Sequence, residues 1–157
     1  KEPVKKTYIE SILLIERLHR RFLDVVKTEL DNKKVEDINN VQTLILYNIG
    51  DAKLTISELT MRGYYLGSNV SYNVKKLVEN DYLIQEQSPH DKRSSKVKLS
   101  AKGADLCQMI DALYERNVEE LNRQGITQSE LTQSNDLLKR LERGWTSYIE
   151  KLFKPSY

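Results

Sequence analysis

Arg93 closes an Asp91-Lys92-Arg93 run inside a polar stretch that also holds His90, Ser94 and Ser95. An arginine head is planar and charged at every physiological pH, which suits it to a narrow groove of concentrated negative potential. An aspartate two residues earlier is placed to hold that guanidinium in position rather than to touch an anion, while Lys92 and His90 can reach phosphates beside it. Upstream, Ser68, Asn69, Ser71, Tyr72, Lys75 and Lys76 form a second set. Short hydroxyl and amide side chains near a helix start sit where backbone amides already favour an anion. Tyr and Lys a turn further on reach a phosphate, a guanine edge or a thymine methyl. Thr55 and Ser57 are a smaller third group of phosphate candidates, although helix capping alone explains Thr55. These residue types neutralise phosphates and address base edges; they are not a set that breaks bonds.

Local signals say which elements hold them. Thr55 and Glu58 stand at capping-box spacing and open a helix, and Gly63 and Gly67 break the chain after it. A second helix over about 68–80 places Val70, Val74, Leu77 and Val78 on one stripe, leaving the Ser, Asn, Tyr and Lys residues on or beside the free face. Two strand-like runs, 82–87 and 96–99, flank a polar loop containing Pro89 and make a hairpin. Helix, turn, helix and hairpin is a winged helix-turn-helix, whose usual partner is duplex DNA.

The flanks are more apolar than a small reading unit needs. Residues 4–30 read as a helix with Ile9, Ile12, Leu13, Leu14, Leu18 and Phe22 spread over two faces, as if covered by a core and a second body. Asn39 or Asn40 can cap a short helix with Val41, Leu44, Ile45 and Asn48 on one side, ended by Gly50. Ser100 can cap another, carrying Ala104, Cys107, Ile110, Tyr114, Val118 and Leu121. After Gly125, Thr127 and Glu130 open a last helix with a heptad-like seam of Leu131, Leu138, Leu141, Trp145, Tyr148 and Leu152. The expected fold is mainly α with a small β-hairpin, one domain over 1–157. Within it, 39–99 is the winged helix-turn-helix, and 1–30 with 101–157 supply dimerisation helices. Ile9, Ile12, Tyr114, Leu138, Leu141, Trp145, Tyr148 and Leu152 are the interface candidates. Packing of the outer helices within one chain is the alternative, but two reading heads about 34 Å apart would address successive major grooves.

Composition narrows the function classes. The chain has 157 residues, 31% of them charged, with a formal net charge of only +2. Between Lys53 and Lys98, eight bases face five acids, so the basic excess is concentrated there rather than spread as in a polycation. There is no Gly-rich phosphate loop, no paired Cys or His at metal spacing, and only two His in total, which argues against an enzyme, a metal site or a cofactor. No apolar run approaches a membrane span and no signal-peptide pattern opens the sequence, so a cytoplasmic location is expected. A single cysteine, Cys107, cannot form an internal disulfide. It sits at an apolar helical position and reads as inert packing, with a redox switch as the rival role.

This order of elements resembles the MarR family of bacterial transcriptional regulators. The likeness is carried by residues 54–59, by 69–83, by Asp91-Lys92-Arg93, and by Val97-Lys98-Leu99-Ser100-Ala101-Lys102-Gly103. The run 64–73 is similar to LdtR-type regulators of the alphaproteobacteria, a subgroup associated with cell-wall transpeptidase genes. The resemblance implies a homodimer that recognises a palindromic double-stranded operator, with Asp91 supporting Arg93 in the wing. It further implies a small aromatic or phenolic effector bound near Leu18, His19, Arg20, Thr43, Leu46, Tyr47 and Tyr65, positions that core packing can also explain. Asp81-Tyr82 stands where the family often has Gly, so a different helix-to-strand turn is expected. Tyr72 stands where Arg is frequent. The rival functional reading is a winged-helix module that binds protein, which would call for an apolar or acidic free face on the second helix.

Overall fold

The computed structural model describes residues 1–63, 67–87, 90 and 94–153, and of residues 67 and 68 the backbone only. The chain divides into two compact units, Lys1–Leu113 and Tyr114–Tyr157. Helices dominate, with one small antiparallel sheet, as the sequence led us to expect.

The first unit opens with α1 (Lys5–Asn32), which runs into the expected polar break before ending. Its stop is a Schellman arrangement: Lys34 takes φ 57°, and the amides of Lys34 and Val35 donate to the carbonyls of Asp31 and Leu30. Only Val26, Glu29 and Leu30 of this helix are buried. Ile9, Leu13, Leu14 and Leu18 are exposed among the described residues.

Helix α2 (Asn40–Ile49) is capped by Asn39, whose side chain accepts from the Gln42 amide at 2.8 Å while Gln42 Oε1 accepts from the Asn39 amide at 3.1 Å. Gly50 ends it, with φ 52°. Its buried residues are Gln42, Thr43, Ile45, Leu46 and Ile49, against the expected Val41, Leu44, Ile45 and Asn48; only Ile45 is shared. Both sets fit helical spacing, and burial against α1 and α3 selects the one that removes more apolar surface from water.

β1 (Leu54–Thr55) leads directly into α3 (Ile56–Gly63), and α4 (Gly67–Glu79) follows. β2 (Leu83–Glu86) and β3 (Lys96–Leu99) form the hairpin, with β3 central in the order β1-β3-β2. Val97 opposes Leu54 on one side and Gln85 on the other. The core under this sheet is built from Ile45, Ile49, Leu59, Val70, Leu77 and Val97, all at most 1% exposed.

α5 (Ala101–Arg123) passes the boundary between the units. Its buried stripe is Gly103, Leu106, Ile110 and Leu113, again offset from the expected Ala104, Cys107, Ile110 and Tyr114. Val118, expected on that stripe, is exposed. In the second unit, Gly125 at φ 81° closes α5 with the same 6→1 and 5→2 bonds. α6 (Gln128–Phe153) then begins at the expected capping box of Thr127 and Glu130. None of its residues is buried.

Candidate nucleic-acid interface

On α4, Val70, Val74 and Leu77 are buried, which leaves Asn69, Ser71, Tyr72 and Lys75 exposed along the opposite face. The apolar stripe read from the sequence is therefore the packed one, and its outermost member, Val78, is half-buried. Tyr72 is 62% exposed. Lys76 stands 5.8 Å from the Tyr72 ring centre and 3.5 Å from the Glu79 carboxylate, which holds it beside that ring. The side chain of Ser68 lies outside the described residues.

The body of α4 is tied down on its inner side. Asn73, half-buried, accepts from Gln42 Nε2 at 3.1 Å, so the capping-box partner of Asn39 also holds α4. At its C-terminal end Asp81 takes φ 65°, and the amides of Asp81 and Tyr82 donate to the carbonyls of Val78 and Leu77. The turn is thus the ordinary Schellman stop, contrary to the expectation of a different one. Asp supplies the left-handed conformation that Gly would otherwise supply, because its short polar side chain tolerates it.

Thr55 behaves as the cap its spacing implies: its Oγ1 accepts from the Glu58 amide, and Glu58 Oε1 accepts from the Thr55 amide, each at 3.1 Å. Hydrogen bonding to the carboxyl, from the Thr55 amide foremost and then from the Thr55 side chain, holds Glu58 below its usual range. Ser57 is exposed on the same turn. On the hairpin, Glu86 bridges Lys53 and Lys98, the latter at 3.1 Å, and hydrogen bonds from the two lysines hold its carboxyl low. The basic charge of Lys98 is therefore partly offset at the base of the wing, whereas Lys96 is exposed. Asp91, Lys92 and Arg93 lie outside the described residues; His90 is described and exposed.

A polar cluster that the sequence reading did not single out joins the end of α4 to α5. Lys102 Nζ donates to Asp37 Oδ2 at 2.6 Å and to the Asn80 carbonyl at 2.9 Å, and lies 4.3 Å from the Tyr82 ring centre. The Tyr82 hydroxyl donates to Asp37 Oδ1 at 2.5 Å, and Asn80 Nδ2 to the Asp37 carbonyl at 3.0 Å. Burial opposes ionisation of Asp37, but the hydrogen bonds from Lys102 and Tyr82 outweigh it and keep its carboxyl below the ordinary value. Burial first, and then the bond to Asp37, pushes the Tyr82 phenol well above its ordinary value. Lys102 and Gly103 lie in the Leu-Ser-Ala-Lys-Gly element read from the sequence; for Asp37 there was no signal.

The effector candidates are dispersed. Leu18 and Arg20 line a groove of about 530 Å³ along the exposed side of α1, with Arg17 and Asp24. His19 is exposed on the same helix. Thr43 and Leu46 are buried, and Thr43 Oγ1 donates to the Asn39 carbonyl at 2.8 Å. Tyr47 lines a separate cleft of about 360 Å³ with Asp51, Leu99, Cys107 and Asp111, and its hydroxyl donates to Asp111. Tyr65 lies outside the described residues. Of the interface candidates, Ile9 in the first unit and Leu138, Trp145, Tyr148 and Leu152 in the second are exposed, while Ile12, Tyr114 and Leu141 are half-buried. Among the described residues, no group of His, Cys, Asp and Glu is placed to hold a metal ion, and no helix is long and apolar enough to cross a membrane.

Residues 36–94 match a family model described as the MarR family. The chain is 37% identical over 139 residues to the exopolysaccharide II synthesis transcriptional activator ExpG of Rhizobium meliloti (strain 1021), covering 88% of this chain and 72% of ExpG. Among solved structures it is similar to Staphylococcus aureus MarR in complex with salicylate and kanamycin, with a TM-score of 0.75 at 20% identity over 91% of this chain and 95% of that one. It is also similar to a mutant MarR from E. coli complexed with operator DNA, with a TM-score of 0.71 at 21% identity over 89% and 99% of the two chains.

Proposed function

We propose, because this chain belongs to the MarR family of transcriptional regulators, that it binds double-stranded DNA sequence-specifically as a homodimer. Regulators of this family are not enzymes. The observation that carries the proposal is the free face of α4: Asn69, Ser71, Tyr72 and Lys75 are exposed above a fully packed Val70, Val74 and Leu77. A face of hydrogen-bonding, aromatic and basic groups on an immobilised helix suits a major groove; a protein-docking face would be apolar or acidic. Ser57, Ser68, Lys76, His90, Lys92 and Arg93 complete the proposed contacts, with Asp91 supporting Arg93. The exposed apolar residues of α6, Leu138, Trp145, Tyr148 and Leu152, support a second copy as their cover.

The regulated genes proposed are those of the cell envelope or of stress responses. The relative at 37% identity is named for activating exopolysaccharide synthesis, and the run 64–73 resembles regulators of cell-wall genes. Control by a small molecule is supported by the salicylate-bound S. aureus relative and by the cleft beneath Tyr47. Two carboxylates, Asp51 and Asp111, line that cleft, so an uncharged or cationic aromatic ligand fits it better than an aromatic acid. The proposed site of action is the cytoplasm, where the DNA is.

Selection of duplexes from a random pool tests the reading. Recovery of a palindromic site, bound with a steep salt dependence by a protein that sediments as a dimer, is the expected result. A monomer, or equal affinity for arbitrary duplexes, would overturn it.

A further inference from the structure

Resting on the DNA-binding role just proposed, we infer that Asp37 is a positioning residue for operator recognition: through Lys102, Tyr82 and Asn80 it fixes the end of α4 against the first turn of α5. The reading face works only if the helix axis is held still. At that end of the helix, one carboxylate and one ammonium join three stretches of chain that are far apart in sequence, at 37, at 80–82 and at 102. Hydrogen bonds of 2.5–3.0 Å are directional, so the set restrains orientation as well as distance. Asn80 and Tyr82 flank Asp81, the residue whose left-handed backbone ends α4. A second bolt lies beside them: the Ser100 hydroxyl points at the Asp81 and Tyr82 carbonyls, at 2.6 and 3.0 Å, and its oxygen accepts from the Gly103 amide at 3.0 Å.

The Asp37–Lys102 pair is almost half exposed, at 45% and 44% of the two side chains, a setting in which ion pairs add little to stability. What the pair contributes is geometry. This separates it from a bulk electrostatic role, because the two predict opposite signs. A lone negative charge near the interface repels phosphates, so deleting it would tighten binding. Deleting a positioning contact loosens it.

The probe is a fluorescent duplex recovered by the wild-type protein from a random-sequence pool, titrated at several salt concentrations well below each variant's melting temperature. Asp37→Asn is expected to weaken binding about tenfold with an unchanged salt slope, because alignment is lost and no phosphate contact is. Lys102→Met behaves the same way, and Lys102→Arg, which keeps a cationic donor, retains most of the affinity. A folded Asp37→Asn that binds as tightly as wild type or more tightly overturns the inference. So does a Lys102→Met whose slope falls by about one unit, which would make Lys102 a phosphate ligand. Should Asp37→Asn not fold, Tyr82→Phe takes its place, expected to bind about threefold more weakly; unchanged affinity there overturns the inference equally. If the wild-type protein recovers no duplex, the DNA-binding reading itself fails first.

Discussion

A Cβ placed on Gly103 would stand 2.3 Å from the carbonyl oxygen of Tyr82. That oxygen also accepts the Ser100 amide at 3.1 Å, so neither partner can retreat without breaking the junction between the hairpin and α5. Gly103→Ala is therefore expected to cost about 1–3 kcal/mol, the scale of an overpacked backbone contact. A lower denaturation midpoint with an unchanged m-value would show it; an unchanged midpoint would mean that the close approach is not maintained.

At Asp81 the expected change has the other sign. The left-handed backbone at φ 65° is strained for an L-residue and free for Gly. Asp81→Gly is expected to stabilise the fold by about 0.5–1 kcal/mol, since only the carbonyl of this residue is used by Ser100. A destabilised Asp81→Gly protein would mean that the aspartate side chain does more than permit the turn.

Acid should loosen the molecule slightly through Asp37 and Glu86, whose part-exposed ion pairs add little to stability. Both carboxyls are held below their ordinary values of 3.8 and 4.5. A carboxyl whose folded pKa is depressed binds its proton more readily in the unfolded chain. Its contribution is complete above the unfolded value and is lost as pH falls through the folded one. Stability should thus decline as pH drops below about 4.5, and the double variant Asp37→Asn, Glu86→Gln should decline less steeply. Denaturant midpoints between pH 6 and pH 2 would show this, and parallel curves for the two proteins would refute it.

Two interface variants should separate charge neutralisation from groove reading. Lys75→Ala is expected to reduce the slope of log affinity against log salt by about one unit. Arg93→Ala is expected to weaken binding by about 1–3 kcal/mol while leaving the protein folded and dimeric. Full affinity in a folded Arg93→Ala protein would remove the wing from the mechanism.

Cys107 should prove unreactive. Burial, with Asp111 and Asp51 nearby, pushes its thiol up to about 11, so very little thiolate exists at neutral pH. Alkylation by iodoacetamide at pH 7.5 is expected to be slower than that of a free thiol, and peroxide should leave DNA binding unchanged. Rapid modification of the native protein would restore the redox role.

Much of the reading unit was legible in the sequence because it is governed by local rules. The stripe of Val70, Val74 and Leu77 follows from helical periodicity, and the boxes at Thr55–Glu58 and Thr127–Glu130 follow from the reach of a side chain across one turn. Ser100 was identifiable as a cap for the same reason. The capping and turn chemistry of such segments needs no partner from elsewhere in the chain.

What tertiary structure alone decided is which of two adjacent stripes turns inward, and what distant residues meet. On α2 and α5 the spacing allowed 41, 44, 45, 48 or 42, 45, 46, 49, and 104, 107, 110, 114 or 103, 106, 110, 113; the packed residues are the second of each pair, joined on α2 by Thr43. Period 3.6 leaves neighbouring faces nearly equivalent, and only the surface they pack against breaks the tie. Asp37 met Tyr82 and Lys102 across 45 and 65 residues of sequence. No local pattern carries such a pairing, because hydrogen bonds depend on positions in space to within a few tenths of an ångström, and those positions exist only once the core has closed.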